Sequence, residues 1–393
     1  MTDARVLDTT IRDYAWGSTS LLAELRGDAP SDVPEAEVWL GAHPGAPSRV
    51  RLGDSSPGLD ELIAGANDEW LGDAASVSDG RLPYLLKLLA AGTPLSLQAH
   101  PSKRKAEEGF AAENAAGVPL DAPHRNYKDD NHKPELLCAL TPFRALAGFR
   151  DLPETVELLR ALDAEVLEPI IERLDGDAGP DELRSVLADL LTMEPADAAV
   201  LSAGVVEALD RADADAPQPA ARSVASFIGA TYPGESGIVT ALLLNTVELA
   251  PGEAIYLDAG LLHAYVDGLG VEIMAASDNV LRGGLTPKHV DPAELLDVLE
   301  MITGPTPIIE PVLDDEGRRV WPTPAPEFEL TAVDVDGARE LSAAGPEILV
   351  VTHGSVSVDG QTLGPTESAV VPAGSTWRLD GRGTAFIARV PAG

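Results

Sequence analysis

The sequence predicts a mainly β protein with an α-helical domain set into it. Three observations carry that fold class. Roughly the first 150 residues break into short apolar or alternating segments bounded by Gly and Pro. After Asp151 the apolar residues recur every three to four positions. Beyond residue 238 short apolar segments return, and one pattern among them occurs twice.

In chain order, Val38-Trp39-Leu40, Ser48 to Leu52, Tyr84 to Ala90, Pro94 to His100 and Pro134 to Leu140 are of strand length and end on turn residues. A helix over Ser102 to Ala116 interrupts them, with Ser102 as its N-cap. Leu152, Val156, Leu159, Leu162, Val166 and Ile170, then Leu183, Val186, Leu187, Leu190 and Leu191, mark three or four amphipathic helices. Ala212 to Ala221, rich in Pro and Ala, reads as their exit linker. Pro251 to His263 then aligns without a gap on Pro365 to Trp377, at a constant offset of 114 residues. Each copy reads as a turn, a short buried strand, a Gly-enabled turn and a second strand. This repeat fits two jelly-roll barrels of the cupin-like kind, the second of them degenerate. The expected layout is a cupin-like β domain over residues 1–150 and 222–320, a helical domain over 151–221, and a C-terminal cupin-like domain over 321–393.

Charge excludes several functions. The 393 residues hold 64 Asp plus Glu against 28 Lys plus Arg, a formal charge of -36, so phosphate backbones and anionic lipid surfaces are repelled. Neither nucleic acid nor a membrane is expected as partner. Cys138 is the single cysteine, which excludes intrachain disulfides and multi-cysteine metal sites. No run of about 18 apolar residues occurs, and MTDARVLDTTIRD at the start lacks a basic-then-apolar signal pattern. A cytoplasmic protein is expected. Only six residues are lysine (Lys87, Lys103, Lys105, Lys128, Lys133 and Lys288), none of them in the helical segment or after Lys288. This placement predicts positive charge gathered around one pocket of an acidic scaffold.

Four constellations offer chemistry. Along Ser96 to His100, period-two geometry puts Ser96, Gln98 and His100 on one face. In Asn131 to Glu135, Lys133 and Glu135 share a face at the entry to an apolar strand, where a charge needs a partner or a metal. His263, with Tyr265, stands where the repeat has Trp377, a packing residue. Gln98, His100, Glu135 and His263 together form an N/O donor set that suits Zn²⁺, Mn²⁺ or Fe²⁺ and leaves the ion Lewis-acidic. The fourth constellation runs from Glu272 to His289. Arg282-Gly283-Gly284, Lys288 and His289 make a compact basic group where backbone can approach a ligand closely.

These segments resemble a known family. YAWGS (Tyr14 to Ser18), EVWLGAHP (Glu37 to Pro44), PLSLQAHPSK (Pro94 to Lys103), NHKPE (Asn131 to Glu135), the strand at His263-Ala264-Tyr265 and DNVLRGGLTPKHVD (Asp278 to Asp291) are similar, in order, to the motifs of type I mannose-6-phosphate isomerases. The resemblance spans about residues 10 to 295 and implies a cytoplasmic enzyme holding one zinc ion on Gln98, His100, Glu135 and His263. It places the family's active-site arginine on Arg282. The implied reaction interconverts mannose 6-phosphate and fructose 6-phosphate through a cis-enediol, in mannose metabolism and GDP-mannose precursor supply. Lys133, Asp278 and Glu272 are rival acid/base candidates, and Ser96, Lys288 and Tyr265 are candidates for substrate contact. The expected partner is a small sugar phosphate, and the expected state is a monomer. A metal-dependent epimerase or oxygenase, and a non-catalytic sugar-binding double barrel, are the competing readings.

Overall fold

The computed structural model describes residues 4–391 apart from Val77 and Ala214. Met1 to Asp3 and the last two residues of the expected C-terminal domain lie outside the described residues. Among the described residues there are two antiparallel sheets and eleven α-helices.

The first sheet carries the site. Its spine runs Ile308–Ile309, Ala254–Leu257, Glu135–Ala139, His263–Ala275, Tyr84–Ala91, Glu37–Leu40 and Thr10–Arg12. His263–Ala275 is long because it serves two sets of partners. Its later part pairs with Tyr84–Ala91 and Glu135–Ala139, and its start pairs with Phe143–Phe149 and Gln98–Ala99. The register shifts between Tyr265 and Asp267, and the adjacent Gly268 takes φ +124°, where a Cβ would lie 2.6 Å from the Phe143 ring. A strand bending so close over its neighbour needs glycine there.

Strand alternation sorts the side chains. Leu86, Leu88 and Ala90 enter the core between the sheets, as do Val38, Leu40, Leu136 and Ile273. The intervening residues Glu37, Trp39, Lys87, Glu135, Glu272 and Met274 face the other way, into a cavity.

The second sheet runs Val312–Leu313, Arg319–Trp321, Glu329–Asp336, Thr376–Arg389, Glu347–Val358 and Ser368–Val371, and is completed by Arg5–Asp8 and Arg49–Val50 from the start of the chain. No sequence pattern signalled that pairing. The repeat is visible in the backbone: strands Ala254–Leu257 and Ser368–Val371 correspond residue for residue. Gly252 and Thr366 have φ +92° and +71°, and Gly260 and Gly374 have +78° and +73°. Trp377 is buried in the core of the second sheet.

Six helices lie between the Phe143–Phe149 and Leu244–Leu249 strands: Leu152–Ala161, Glu168–Leu174, Pro180–Leu191, Pro195–Arg211, Pro219–Thr231 and Gly237–Leu243. The last two replace part of the expected linker and the start of the expected β segment. Their signal was present in Ala221, Val224, Ala225 and Ile228, all buried, behind a proline that suits the first helical turn. Leu21–Arg26, Leu59–Gly65 and Asn67–Leu71 are further short helices in the region read as strands. Helix Lys103–Ala115 stands as expected, with Ser102 Oγ accepting the Lys105 amide. The strands expected over Ser48 to Leu52 and Pro94 to His100 narrow to Arg49–Val50 and Gln98–Ala99. The helices bury their apolar faces against Leu97, Ala99, Leu262, Ala264, Leu281 and Leu285, the backs of the strands that carry the site.

Candidate active site

Gln98 is the cross-strand neighbour of both His263 and Arg282. Opposed residues share a face, so the three side chains point together. The rings of His100 and His263 are fully buried, 5.1 Å apart. His100 Nε2 lies 3.3 Å from Glu135 Oε1, and His263 Nε2 lies 3.6 Å from Glu135 Oε2. Each Nδ1 meets a backbone carbonyl, Asn279 O at 2.8 Å for His100 and Leu261 O at 3.0 Å for His263. A carbonyl only accepts, which assigns the proton to Nδ1 and leaves both Nε2 atoms as lone-pair donors.

His100 Nε2, His263 Nε2 and Glu135 Oε2 are buried and make no hydrogen bond. One ligand atom from each residue lies within 4.8 Å of the others. Acceptors crowded together without a donor are costly, and a cation between them resolves the cost, so the residues present fit a metal ion. Burial lowers the pKa of His100 and pushes that of His263 down to about 4, with added repulsion from Lys133 on both, so both rings stay in the neutral, ligating form. Burial alone would raise Glu135, but the Lys133 ammonium holds it well below the usual carboxylate range.

The set opens on a cavity of about 680 Å³. Ser96, Gln98, Lys133, Glu135 and Tyr265 line it, as do Glu272, Asp278, Arg282 and Lys288; His100 and His263 stand behind the wall. His289 of the basic group is instead on the surface, its ring near that of His124. The expected excess of positive charge is corrected by the structure. Glu37, Glu135, Glu272 and Asp278 balance Lys87, Lys133, Arg282 and Lys288 on the wall. The other three lysines are held elsewhere, Lys103 by Glu107, Lys105 by Asp297 and Lys128 by the carbonyls of Leu120 and Ala122.

Two carboxyls on this wall are driven apart. Lys87 Nζ lies 3.0 Å from Glu272 and 3.3 Å from Glu37, one ammonium serving two acids. Burial raises the Glu272 pKa, and Glu135 and Glu37 add to this against the pull of Lys87. Asp278 accepts a hydrogen bond from His43 Nε2 at 3.0 Å, while His43 Nδ1 accepts the Gly45 amide. Burial would raise Asp278, but that bond and the charges of Lys133 and Lys87 keep it below its ordinary value. Among the described residues no carboxylate pairs with Arg282 or Lys288. Burial lowers the pKa of both, and Arg282 lowers that of Lys288 further. Two neighbouring cations without an acid partner form an anion-ready rim.

Tyr14, Trp16, Glu37, Trp39, Lys87 and Tyr232 also line the cavity and were not picked out as site residues. Lys87 had a usable signal, a lone lysine inside the otherwise apolar strand Tyr84–Ala91. Tyr232 had none, since it comes from the end of a helix in the layer beyond.

Fold and site together define a class: a two-sheet protein with a helical layer, holding a buried metal-competent set at the floor of a polar cavity. Residues 5–152 match the family described as phosphomannose isomerase type I, catalytic domain. Mannose-6-phosphate isomerase of Escherichia coli K12 is 39% identical over 378 residues, covering 93% of this chain and 94% of the relative. The Bos taurus protein of that name is 31% identical over 400 residues, covering 93% and 90%. A crystal structure of zinc-bound mannose 6-phosphate isomerase aligns with a TM-score of 0.91 at 36% identity, over 99% of this chain and 100% of that one. The chain belongs to the type I mannose-6-phosphate isomerase family.

Proposed function

We propose that this chain is a zinc-dependent isomerase that interconverts mannose 6-phosphate and fructose 6-phosphate. The observation that carries the reading is the trio of buried, unbonded ligand atoms on His100, Glu135 and His263, below a rim where Arg282 and Lys288 have no acid partner among the described residues. The names of the relatives and the zinc in the related crystal structure support it. Gln98, His100, Glu135 and His263 would hold one zinc ion, which when bound supplies Lewis acidity toward a sugar oxygen.

The remaining chemistry belongs to the side chains. Arg282 cannot give up its proton, so it serves as an electrostatic clamp, with Lys288, on the phosphate. Environments that push two carboxyls apart assign base and acid. Asp278, held ionised, takes the proton from C2 and returns it at C1. Glu272, whose carboxyl burial raises above its ordinary value, is placed to give a proton to O1 as the cis-enediol forms and to recover one from O2 as the ketone forms. Lys133 keeps Glu135 ionised, and the hydroxyls of Ser96 and Tyr265 contact the sugar.

The two sheets read as cupin-like barrels, the first built from strands within 10–149 and 244–309, the second from strands within 312–389 joined by Arg5–Asp8 and Arg49–Val50. The helical domain of 151–221 extends to Leu243, where its last helix ends. Among the described residues no helix is long and apolar enough to cross a membrane. We read the enzyme as a cytoplasmic monomer acting in mannose metabolism and GDP-mannose precursor supply. Zinc-loaded protein should interconvert the two sugar phosphates, lose this on chelation and regain it with zinc. If loaded protein neither interconverts them nor exchanges hydrogen at C2 with deuterated solvent, the reading is wrong.

A further inference from the structure

Leu285 sits between the two rim cations in an unusual backbone state. Its φ is +56°, in the left-handed region that a bulky L residue rarely occupies. Its side chain is 1% exposed and packs in the apolar core of the helical layer, beside Leu97. Helix Gly237–Leu243 begins directly against it: a Cβ on Gly237 would lie 2.8 Å from Leu285 Cδ2. The loop is tied to the site strand on its other side. The Gly283 amide donates to Leu97 O at 2.7 Å, and the Leu97 amide donates to Gly284 O at 3.2 Å.

The strained residue's own amide is met by a side chain from the helical layer. Glu235 Oε2 accepts the Leu285 N–H at 3.1 Å. Glu235 stands in the short connection between Pro219–Thr231 and Gly237–Leu243. That connection also reaches the cavity, because Tyr232 lines it and donates its hydroxyl to Pro94 O at 2.7 Å. Leu285 is therefore plugged into the helical core by its side chain and pinned by a charge-assisted hydrogen bond at its amide, while Arg282, three residues before it, and Lys288, three residues after, line the cavity.

We propose that Glu235 is a positioning residue: by holding Leu285 in its left-handed turn, its carboxylate sets Arg282 and Lys288 on the rim, so the helical layer governs anion binding by cations that lie outside it. The assignment rests on the reading of Arg282 and Lys288 as phosphate contacts. Without the acceptor, Leu285 is free to relax toward ordinary backbone angles, and Thr286, Pro287 and Lys288 swing with it. Binding of the phosphate should then weaken while the metal set, Glu272 and Asp278, none of them in the loop from Gly283 to Lys288, stay in place.

The test uses the zinc-loaded full chain with Glu235→Ala, Glu235→Asp and Glu235→Gln. Glu235→Ala should raise KM for fructose 6-phosphate about tenfold or more, with kcat changed much less. Zinc content should be unchanged, and amide hydrogen exchange over residues 283–288 should rise. Glu235→Gln, whose amide oxygen still accepts, should restore KM and protection. Glu235→Asp keeps the charge but withdraws the oxygen, so it should behave as Ala does, and it carries the test if Ala does not fold. Unchanged KM and exchange in the Ala and Asp variants overturn the proposal. So does an equal loss in all three variants, which would mark a merely structural role. If the parent protein does not isomerise the sugar phosphates, the functional reading fails, whereas the exchange measurement still decides whether Glu235 holds the loop.

Discussion

Lys133 Nζ lies 2.8 Å from Glu135 Oε1, and the other oxygen of the same carboxylate, Oε2, is buried without a hydrogen bond. One group thus divides its two acceptors between a fixed ammonium and the point on which His100 and His263 converge. The ammonium keeps the carboxylate ionised in a place where burial would protonate it.

Metal binding and stability should therefore be coupled through Glu135. An ion held only by the folded chain stabilises it by mass action, so chelation should lower the melting temperature of the parent protein. Glu135→Gln keeps the volume but removes the charge and leaves Lys133 buried without its partner. It should retain little zinc by elemental analysis and melt at one low temperature with or without chelator. Full zinc content in Glu135→Gln would remove this residue from the ligand set.

Arg282 and Lys288 should separate binding of the phosphate from binding of the metal. Replacing one charge-assisted contact to a phosphate should cost about 1.5–3 kcal/mol, or roughly 10- to 100-fold in affinity. Arg282→Ala and Lys288→Ala should weaken inhibition by inorganic phosphate by about that factor and keep their zinc. Phosphate inhibition equal to that of the parent in both variants would place the anion elsewhere on the wall.

The opposed environments of Asp278 and Glu272 predict which limb of the pH profile each controls. A base held low works until the pH falls through its depressed pKa, and an acid held high works until the pH rises through its raised one. Asp278→Asn should lower kcat about 10²- to 10⁴-fold at every pH. Glu272→Gln should lower kcat and remove the alkaline limb. His43→Phe preserves packing on Trp39, whose ring it meets at 4.7 Å, but takes away the hydrogen bond that lowers Asp278. Its acidic limb should move to higher pH. A limb that stays put in His43→Phe means Asp278 is not the group titrating.

The reach of the sequence can be judged from these same residues. Gln98, His100, Glu135 and His263 stood out because each is polar on an apolar strand, and the alternation that exposes them to one another is a local property. Lys87 and Glu37 gain their meaning only across strands, since Lys87 opposes Trp39 on one side and Glu272 on the other. A charge on one strand does not announce a counter-charge far along the chain. Arg5–Asp8 pairs with Ser368–Val371 for a reason just as distant. The helices after residue 218 were missed for a different cause: closely spaced prolines were read as a linker, although proline in a first helical turn starts a helix as readily as it ends one.

Glu347 gives a prediction about stability that is independent of the site. It is 3% exposed on strand Glu347–Val358, and burial raises its pKa to about 7 despite the nearby charges of Arg389 and Arg318. The folded protein therefore binds a proton there more tightly than the unfolded chain, whose glutamate titrates near 4.3. The sign follows from linkage. Where the group is protonated in both states it costs nothing; as pH rises from about 4.5 to 7 the unfolded chain ionises first and stability falls, and above 7 the full penalty is present. At about 1.4 kcal/mol per pKa unit, the penalty at pH 8 is on the order of 4 kcal/mol. Glu347→Gln is neutral throughout, and Arg389 retains its pairing with Glu329. The variant should be more stable than the parent by up to that amount in urea unfolding at pH 8, and nearly equal to it at pH 4.5, with isomerase activity unaltered. Destabilisation at pH 8 would show instead that the buried carboxylate is ionised and that its arginine neighbours outweigh the loss of water.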